Sequence, residues 1–374
     1  MNVPVGKPLL GEIETEYALD AITRTEISGF SGGYIGKFEK EFADFCGTSD
    51  AVSVSSGTSA LHLAVVALGI GKGDEVLTQS FTNMATFFAL LYEGAVPIAI
   101  DSEPDTLNMD PALLEAKITP RTKAIMVVHI YGHPVDMDPI LTIAKKHNLF
   151  VIEDAAEAHG AEYKGKKVGS LGDVGCFSFY ANKIVTTGEG GMLTTNNANL
   201  AKEARSLKAL AFGEQNKFMH RAVGYNYRMT NVQAAIGSAQ MTRIDDILSR
   251  KRTMGAYYLA HLSDIPELQM PVEKSYAKNV YWMFNIILCG SLAGRRQEFM
   301  DKLRVRGVDT REDFIPFNGQ EIFIAKGLTK LEECPVANNA GENGLYIPSG
   351  TDISEEEQAY VVQEIRSVVL EMKS

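Results

Sequence analysis

From residue 50 onward, short apolar runs alternate with stretches whose apolar positions recur at helical spacing. "AVSVSS" is followed by "TSALHLAVVALGI", then by "DEVLTQS", "TFFALLYEG" and "VPIAID". Short apolar runs bounded by turn residues predict strands, and runs with a 3.6-residue period predict helices. The alternation continues through "KAIMVVHIYG", "PILTIAKKHN" and "LFVIEDAAEA", with Pro139 marking a helix start and Asn148 a C-terminal cap. Strands that alternate with helices are joined by right-handed crossovers and predict a mostly parallel sheet. The uniformly apolar "AIMVVHI" and "LFVIE" predict a sheet covered on both faces.

Beyond residue 238 the pattern changes. The stretch "AQMTRIDDILSRKRTMGAYYLAHL" predicts one long helix, and the strict alternation then loosens into "VYWMFNIILC", "RRQEFMDKLRVRG" and "ISEEEQAYVVQEIRSVVLEM". A chain of 374 residues exceeds what one hydrophobic core usually supports. The expected organisation is a large α/β domain over 1–245 and a smaller α/β domain over 246–374.

Composition narrows the class of function. With 45% hydrophobic and 22% charged residues the chain reads as a globular enzyme, not a disordered or fibrous one. A formal charge of −11, with the basic residues scattered, offers no footprint for nucleic acid or an anionic membrane. An anionic ligand must therefore be held by local groups. Cys46, Cys176, Cys289 and Cys334 lie far apart without zinc spacing, so neither a disulfide framework nor a metal site is expected. The opening residues lack a basic segment followed by an apolar one, and no apolar run is long enough to span a bilayer. A cytoplasmic protein is expected.

In open parallel sheets, ligands gather at the carboxyl ends of the strands. Residues at four such positions are chemically consistent with one another. In "SSGTSALHLA" a strand ends and a helix starts at once, so free N–H groups, hydroxyls and the helix dipole around Gly57 and Thr58 could hold a phosphate, although a Ser there also serves as an ordinary cap. In "VIEDAAEAHG", Asp154 ends a buried strand, where it either caps a helix or keeps a heterocyclic nitrogen protonated. In "FSFYANKIVTTGEGGM", Ser178 lies in a strand that leads to Asn182 and Lys183 and then to a glycine-rich turn. A Lys at that face, its pKa lowered by desolvation or a nearby cation, is a nucleophile toward an aldehyde. In "GYNYRMTNVQAAIGSAQM", Asn226, Tyr227 and Arg228 precede an Ala/Gly-rich helix suited to close packing within the chain or across a dimer. A phosphate seat, a carboxylate, a nucleophilic Lys and a polar clamp are together what pyridoxal 5′-phosphate (PLP) requires.

Those segments resemble the DegT/DnrJ/EryC1/StrS sugar aminotransferases from about residue 10 to the C-terminus. "NKIVTTGEGGM", "GYNYRMTN", "ITPRTKAIMVVHIYGHPVDMDPI" and "YWM" are most similar to the members that make GDP-perosamine. The resemblance implies an aspartate-aminotransferase-like (fold type I) homodimer with shared active sites. It implies transfer of an amino group from L-glutamate to a nucleotide-linked 4-keto-6-deoxy sugar, with pyridoxamine phosphate as the cofactor's amino-carrying form. It also implies residue roles: Lys183 binding PLP covalently, Asp154 pairing with the pyridine nitrogen, Glu157 near the ring hydroxyl, and Gly57, Thr58 and Ser178 on the phosphate, joined by Asn226 of the other subunit. The product would feed O-antigen or another surface polysaccharide.

Two positions depart from that pattern. Asn83 stands where an aromatic usually covers the cofactor ring, leaving Phe87 or Phe88 to cover it or the ring face more polar. Phe317-Asn318-Gly319 replaces a segment that usually carries a His and faces the sugar. Among the alternatives, a PLP-dependent sugar 3-dehydratase would carry a His in place of Lys183, and a non-catalytic sensor has no reason to keep the whole cofactor set. A nicotinamide enzyme would need a G-x-G-x-x-G turn that is absent.

Overall fold

A computed structural model describes residues 1–213, 216–220 and 222–373. Its central sheet is built from β1 (Asp50–Val54), β2 (Glu75–Gln79), β3 (Val96–Ile100), β4 (Thr122–Val128), β5 (Phe150–Asp154), β6 (Val174–Ser178) and β7 (Gly191–Thr195). These pair in the order β1-β7-β6-β5-β4-β2-β3. β7 runs against both of its neighbours, while the remaining pairings are parallel. Helices supply several of the connections: α1 (Glu12–Thr23) and α2 (Tyr34–Cys46) precede the sheet, and α3 (Gly57–Ala67), α4 (Ala85–Tyr92), α5 (Met137–His147) and α6 (Ala198–Leu207) follow β1, β2, β4 and β7. Each helix boundary has a local cause. Ser56 caps α3 by accepting the Ser59 N–H at 3.1 Å, and Asn148 ends α5 in the left-handed conformation, with φ of 54°.

The expected long helix is broken. α7 (Asn231–Met241) stops two residues before α8 (Ile244–Leu262) starts. The Thr242 hydroxyl donates to the Ala239 carbonyl at 2.7 Å, which competes with helix propagation. Gln240 and Arg243 flank the break, and both turn toward the buried Glu14 carboxylate on α1.

Beyond α8 a second, four-stranded antiparallel sheet forms from β8 (Leu268–Gln269), β9 (Phe284–Leu288), β10 (Arg311–Glu312) and β11 (Gly344–Ile347), in the order β8-β9-β11-β10. α8, α9 (Arg296–Val305) and the C-terminal helix Glu355–Lys373 pack together over its core, which contains Tyr258, Phe284, Phe299 and Val361. The N-terminal strand-like segment also belongs to this core, because Val3 pairs with Val308 and is buried there.

An aromatic cluster lies between α2 and the central sheet. Phe42 is fully buried and meets Phe177 and Phe179 edge-on at 4.9 and 5.2 Å. Because this cluster backs the strand that leads to Lys183, Phe42→Ala should lower stability by about 3–5 kcal/mol. The check is a shift of the urea unfolding midpoint.

Candidate active site

The carboxyl ends of β4, β5 and β6 and the start of α3 enclose a cleft of about 320 Å³. At one end the first N–H groups of α3, which have no partner within the helix, meet the hydroxyls of Thr58 and Ser178. Gly57 is required there, since a Cβ on it would lie 2.6 Å from the Ser178 Cβ. That contact is with a strand side chain next to its backbone, which cannot swing aside.

Asp154 ends β5 at 5% exposure. Its Oδ2 accepts the Thr86 hydroxyl at 2.9 Å and its Oδ1 the Ala156 N–H at 3.2 Å, so both oxygens are oriented. Burial raises its pKa, against the opposing effect of those bonds and of the Lys183 amine. Glu157 is also buried, and its Oε2 accepts the Tyr131 N–H at 2.8 Å. Burial raises the Glu157 pKa, and the Lys183 cation opposes it. The backbone of Tyr131 is left-handed at φ of 52°, an uncommon state for an aromatic residue. Ring stacking on Phe314 at 5.7 Å helps hold it in place.

Lys183 follows β6 in a turn closed by its N–H donating to the Tyr180 carbonyl at 2.9 Å. Its Nζ sits 3.5 Å from the centroid of the Trp282 ring, a cation–π contact. Loss of solvent lowers the pKa of this amine, while the charges of Glu157 and Asp154 pull it back up. Trp282 is itself fixed by its indole N–H donating to the Asn182 carbonyl at 2.8 Å. A lysine whose charge burial disfavours, near two carboxylates and the open N–H groups of a helix start, has the chemistry to attack a carbonyl and move protons.

Of the sequence-predicted residues, the cleft brings together Gly57, Thr58, Asp154, Glu157, Ser178 and Lys183. Asn226 is not among them: it lies exposed on a segment bridged to Ala209. Asn83 lines the cleft and is held by accepting the Ala85 N–H at 3.0 Å. Phe87 is stacked on Phe317 at 4.0 Å, and neither Phe87 nor Phe88 lines the cleft. Phe317 and Asn318 are buried in packing, with Asn318 accepting the Ser80 hydroxyl at 2.6 Å. The C-terminal part instead contributes Trp282, Phe314 and Tyr346. Sequence reasoning missed these, and it also missed Thr86. The signal for Thr86 was a hydroxyl inside the otherwise apolar "ATFFALLY".

The donor set fits PLP: a phosphate seat whose close approach depends on a glycine, a buried carboxylate for a ring nitrogen, and an amine for an aldehyde. Among the described residues no cluster of His, Cys, Asp or Glu could hold a metal ion, and no helix is long and apolar enough to cross a membrane.

Comparison with known proteins agrees with this donor set. The model of the DegT/DnrJ/EryC1/StrS aminotransferase family matches residues 11–366. A GDP-perosamine synthase of Caulobacter vibrioides is 43% identical, over 99% of each chain. A GDP-perosamine synthase of Escherichia coli O157:H7 is 41% identical, over 97% of each. The crystal structure of the aminotransferase TlmJ from Streptoalloteichus hindustanus superposes with a TM-score of 0.92 at 30% identity, covering all of both chains.

Proposed function

The chain belongs to the DegT/DnrJ/EryC1/StrS aminotransferase family, and from that premise we propose that it aminates GDP-4-keto-6-deoxymannose to GDP-perosamine with L-glutamate as donor. It is a PLP-dependent sugar aminotransferase. The observation that carries the proposal is Lys183, an amine pushed toward neutrality between Asp154 and Glu157 at the floor of the cleft. Two relatives above 40% identity that share the GDP-perosamine synthase name support the choice of sugar.

When bound, PLP supplies an electron sink for the charge left as a proton departs from the substrate carbon. The chain's residues do the rest. The α3 start, with Gly57, Thr58 and Ser178, binds the phosphate. Asp154, oriented by Thr86 and Ala156, holds the proton on the ring nitrogen. Glu157 accepts a hydrogen bond near the ring hydroxyl. Lys183 Nζ is the amine that would hold the cofactor's aldehyde and, when free, would carry a proton to or from the reacting carbon. Trp282, Phe314 and Tyr346 restrict the entry of water. Lys183 also weighs against a dehydratase, which needs a residue that does not recapture the cofactor.

A homodimer in the cytoplasm is part of this reading. Phe30, Phe218, Met219 and Val223 are all at least 60% exposed. A second copy covering them would bring the exposed Asn226 toward a partner's phosphate seat. The product would serve O-antigen or another surface polysaccharide.

The test is the absorbance of the PLP-loaded enzyme. L-glutamate should convert the cofactor to its amine form, and GDP-4-keto-6-deoxymannose should restore the original spectrum. Restoration only by a UDP- or dTDP-linked keto sugar would replace the substrate, and a spectrum untouched by glutamate would overturn the donor.

A further inference from the structure

A second cavity, of about 160 Å³, shares Asn182, Lys183, Trp282 and Tyr346 with the cleft, so the two meet at the reactive amine. Its other walls are the N-terminal segment 5–9, the loop 349–351, Lys251 of α8 and Arg311 of β10. Lys7, Lys183, Lys251 and Arg311 line it, and no Asp or Glu does.

Lys251 is the unusual member. It is 2% exposed, and its Nζ donates to the Trp282 carbonyl at 2.9 Å and to the Ser349 carbonyl. An ammonium has three donors, so one is left over. Among the described residues no carboxylate pairs with it, and burial pulls its pKa down to about 7. The charge of Asp352, next to the 349–351 loop, offsets only part of the cost of burying this amine, and an arriving anion would offset more of it by restoring the proton. A role as a plain strut between two carbonyls accounts for two of its donors but not for the cationic lining around it. Lys7 is exposed and has no acidic partner among the described residues, and Arg311, whose side chain is 56% exposed, shares Nη1 with Asp309 at 2.8 Å.

We propose that this cavity receives the distal carboxylate of the amino donor, so that Lys7, Lys251 and Arg311 select a dicarboxylic amino acid. The inference rests on the aminotransferase reading above. Geometry favours this occupant over the nucleotide. The cavity is smaller than the 300 Å³ or more of ordinary ligand pockets, which suits a carboxylate on a short methylene stem and not a nucleoside diphosphate. Lys183 also lines both cavities, so a donor whose amino end reaches Lys183 can extend its far end toward the cations.

Trp282 is the single tryptophan of the chain and lines both cavities, so its fluorescence reports occupancy. Glutarate, a dicarboxylate without an amino group, is titrated into the PLP-loaded enzyme. The expected result is a saturable change in emission whose midpoint rises tenfold or more in Lys7→Ala and in Arg311→Ala, as for loss of a charge-assisted hydrogen bond. Saturating GDP should leave the glutarate midpoint unchanged. Both residues are exposed, so neither variant endangers the fold. Wild-type glutarate binding in both variants would overturn the proposal. So would displacement of glutarate by GDP with the same dependence on Lys7 and Arg311, which would assign the cations to the nucleotide's phosphates. Because glutarate binding needs no turnover, a failure of glutamate to change the cofactor spectrum would sink the proposed reaction while leaving a dicarboxylate site standing.

Discussion

Lys183→Ala is expected to reduce amino transfer by at least ~10²–10⁴-fold, the usual contribution of a positioned proton-transfer group. Two functions would be lost together, because in the proposed mechanism the same Nζ both holds the cofactor and moves the proton. Binding of PLP should survive in weakened, non-covalent form, since the α3 start and Ser178 are untouched. The fold should survive as well. The amine makes a cation–π contact with Trp282 and sits where desolvation disfavours its charge, so the variant removes a strained cation from a preformed cleft. Without that cation, Glu157 and Asp154, whose pKa values burial already raises, will take up protons more readily. Single-turnover rates, the absorbance of the lysine-bound cofactor and a thermal melt separate these effects. A variant that keeps a tenth of the wild-type rate would remove Lys183 from the chemistry.

Asp154→Asn tests charge at nearly constant shape. An amide can still accept the Ala156 N–H and bond with the Thr86 hydroxyl, but it cannot hold a ring nitrogen protonated. Loss of one preorganised electrostatic partner costs roughly 10²–10³ in turnover. The loss should fall on kcat, with KM for both substrates changed only a few-fold, because Asp154 would bond the ring nitrogen and not the substrate ends. Stability carries the opposite sign. The folded-state pKa of Asp154 is raised above its unfolded value by burial, so its ionised form costs stability at neutral pH, and that cost fades as pH falls toward the raised value. The cofactor-free Asn variant should therefore melt no lower than wild type at pH 7. A lower melting temperature with unchanged kcat would mean that Asp154 is a structural cap and nothing more.

The parallel part of the central sheet was legible because its short apolar strands are bounded by turn residues and several are followed by helices, such as α4 after β2 and α5, ended by Asn148, after β4. The antiparallel β7 was not. "GMLTT" reads like any other buried strand, and only the tight return through Gly188 and Gly190 reverses it. The helix break at Thr242 depends on a side-chain bond that a periodicity pattern cannot see. In the site, the residues just after apolar runs were legible because topology sends those positions to one sheet edge. Trp282, Phe314 and Tyr346 reach the same cleft from far along the chain, and although "YWM" carries part of the family resemblance, nothing in it marks Trp282 as a wall of the cleft. Asn83 was flagged as a departure, and the structure places it on the cleft wall while the nearby Phe87 is spent on stacking with Phe317.

The N-terminal segment that walls the second cavity has a consequence for how the protein is born. Val3 donates its N–H to Gly307 at 2.8 Å and accepts from Asp309 at 3.0 Å, while Val5 accepts from Ser349 at 2.7 Å. Val3 and Val5 thus find these partners only when Gly307, Asp309 and Ser349 have been made, roughly 15–60 s after their own synthesis at ordinary rates. Until then Val3 and Val5 have no sheet to join, and the cationic pocket has no lid. Completion of that pocket is thus a late, post-translational event in assembly, and a bulky tag fused to Met1 would press on the same joint.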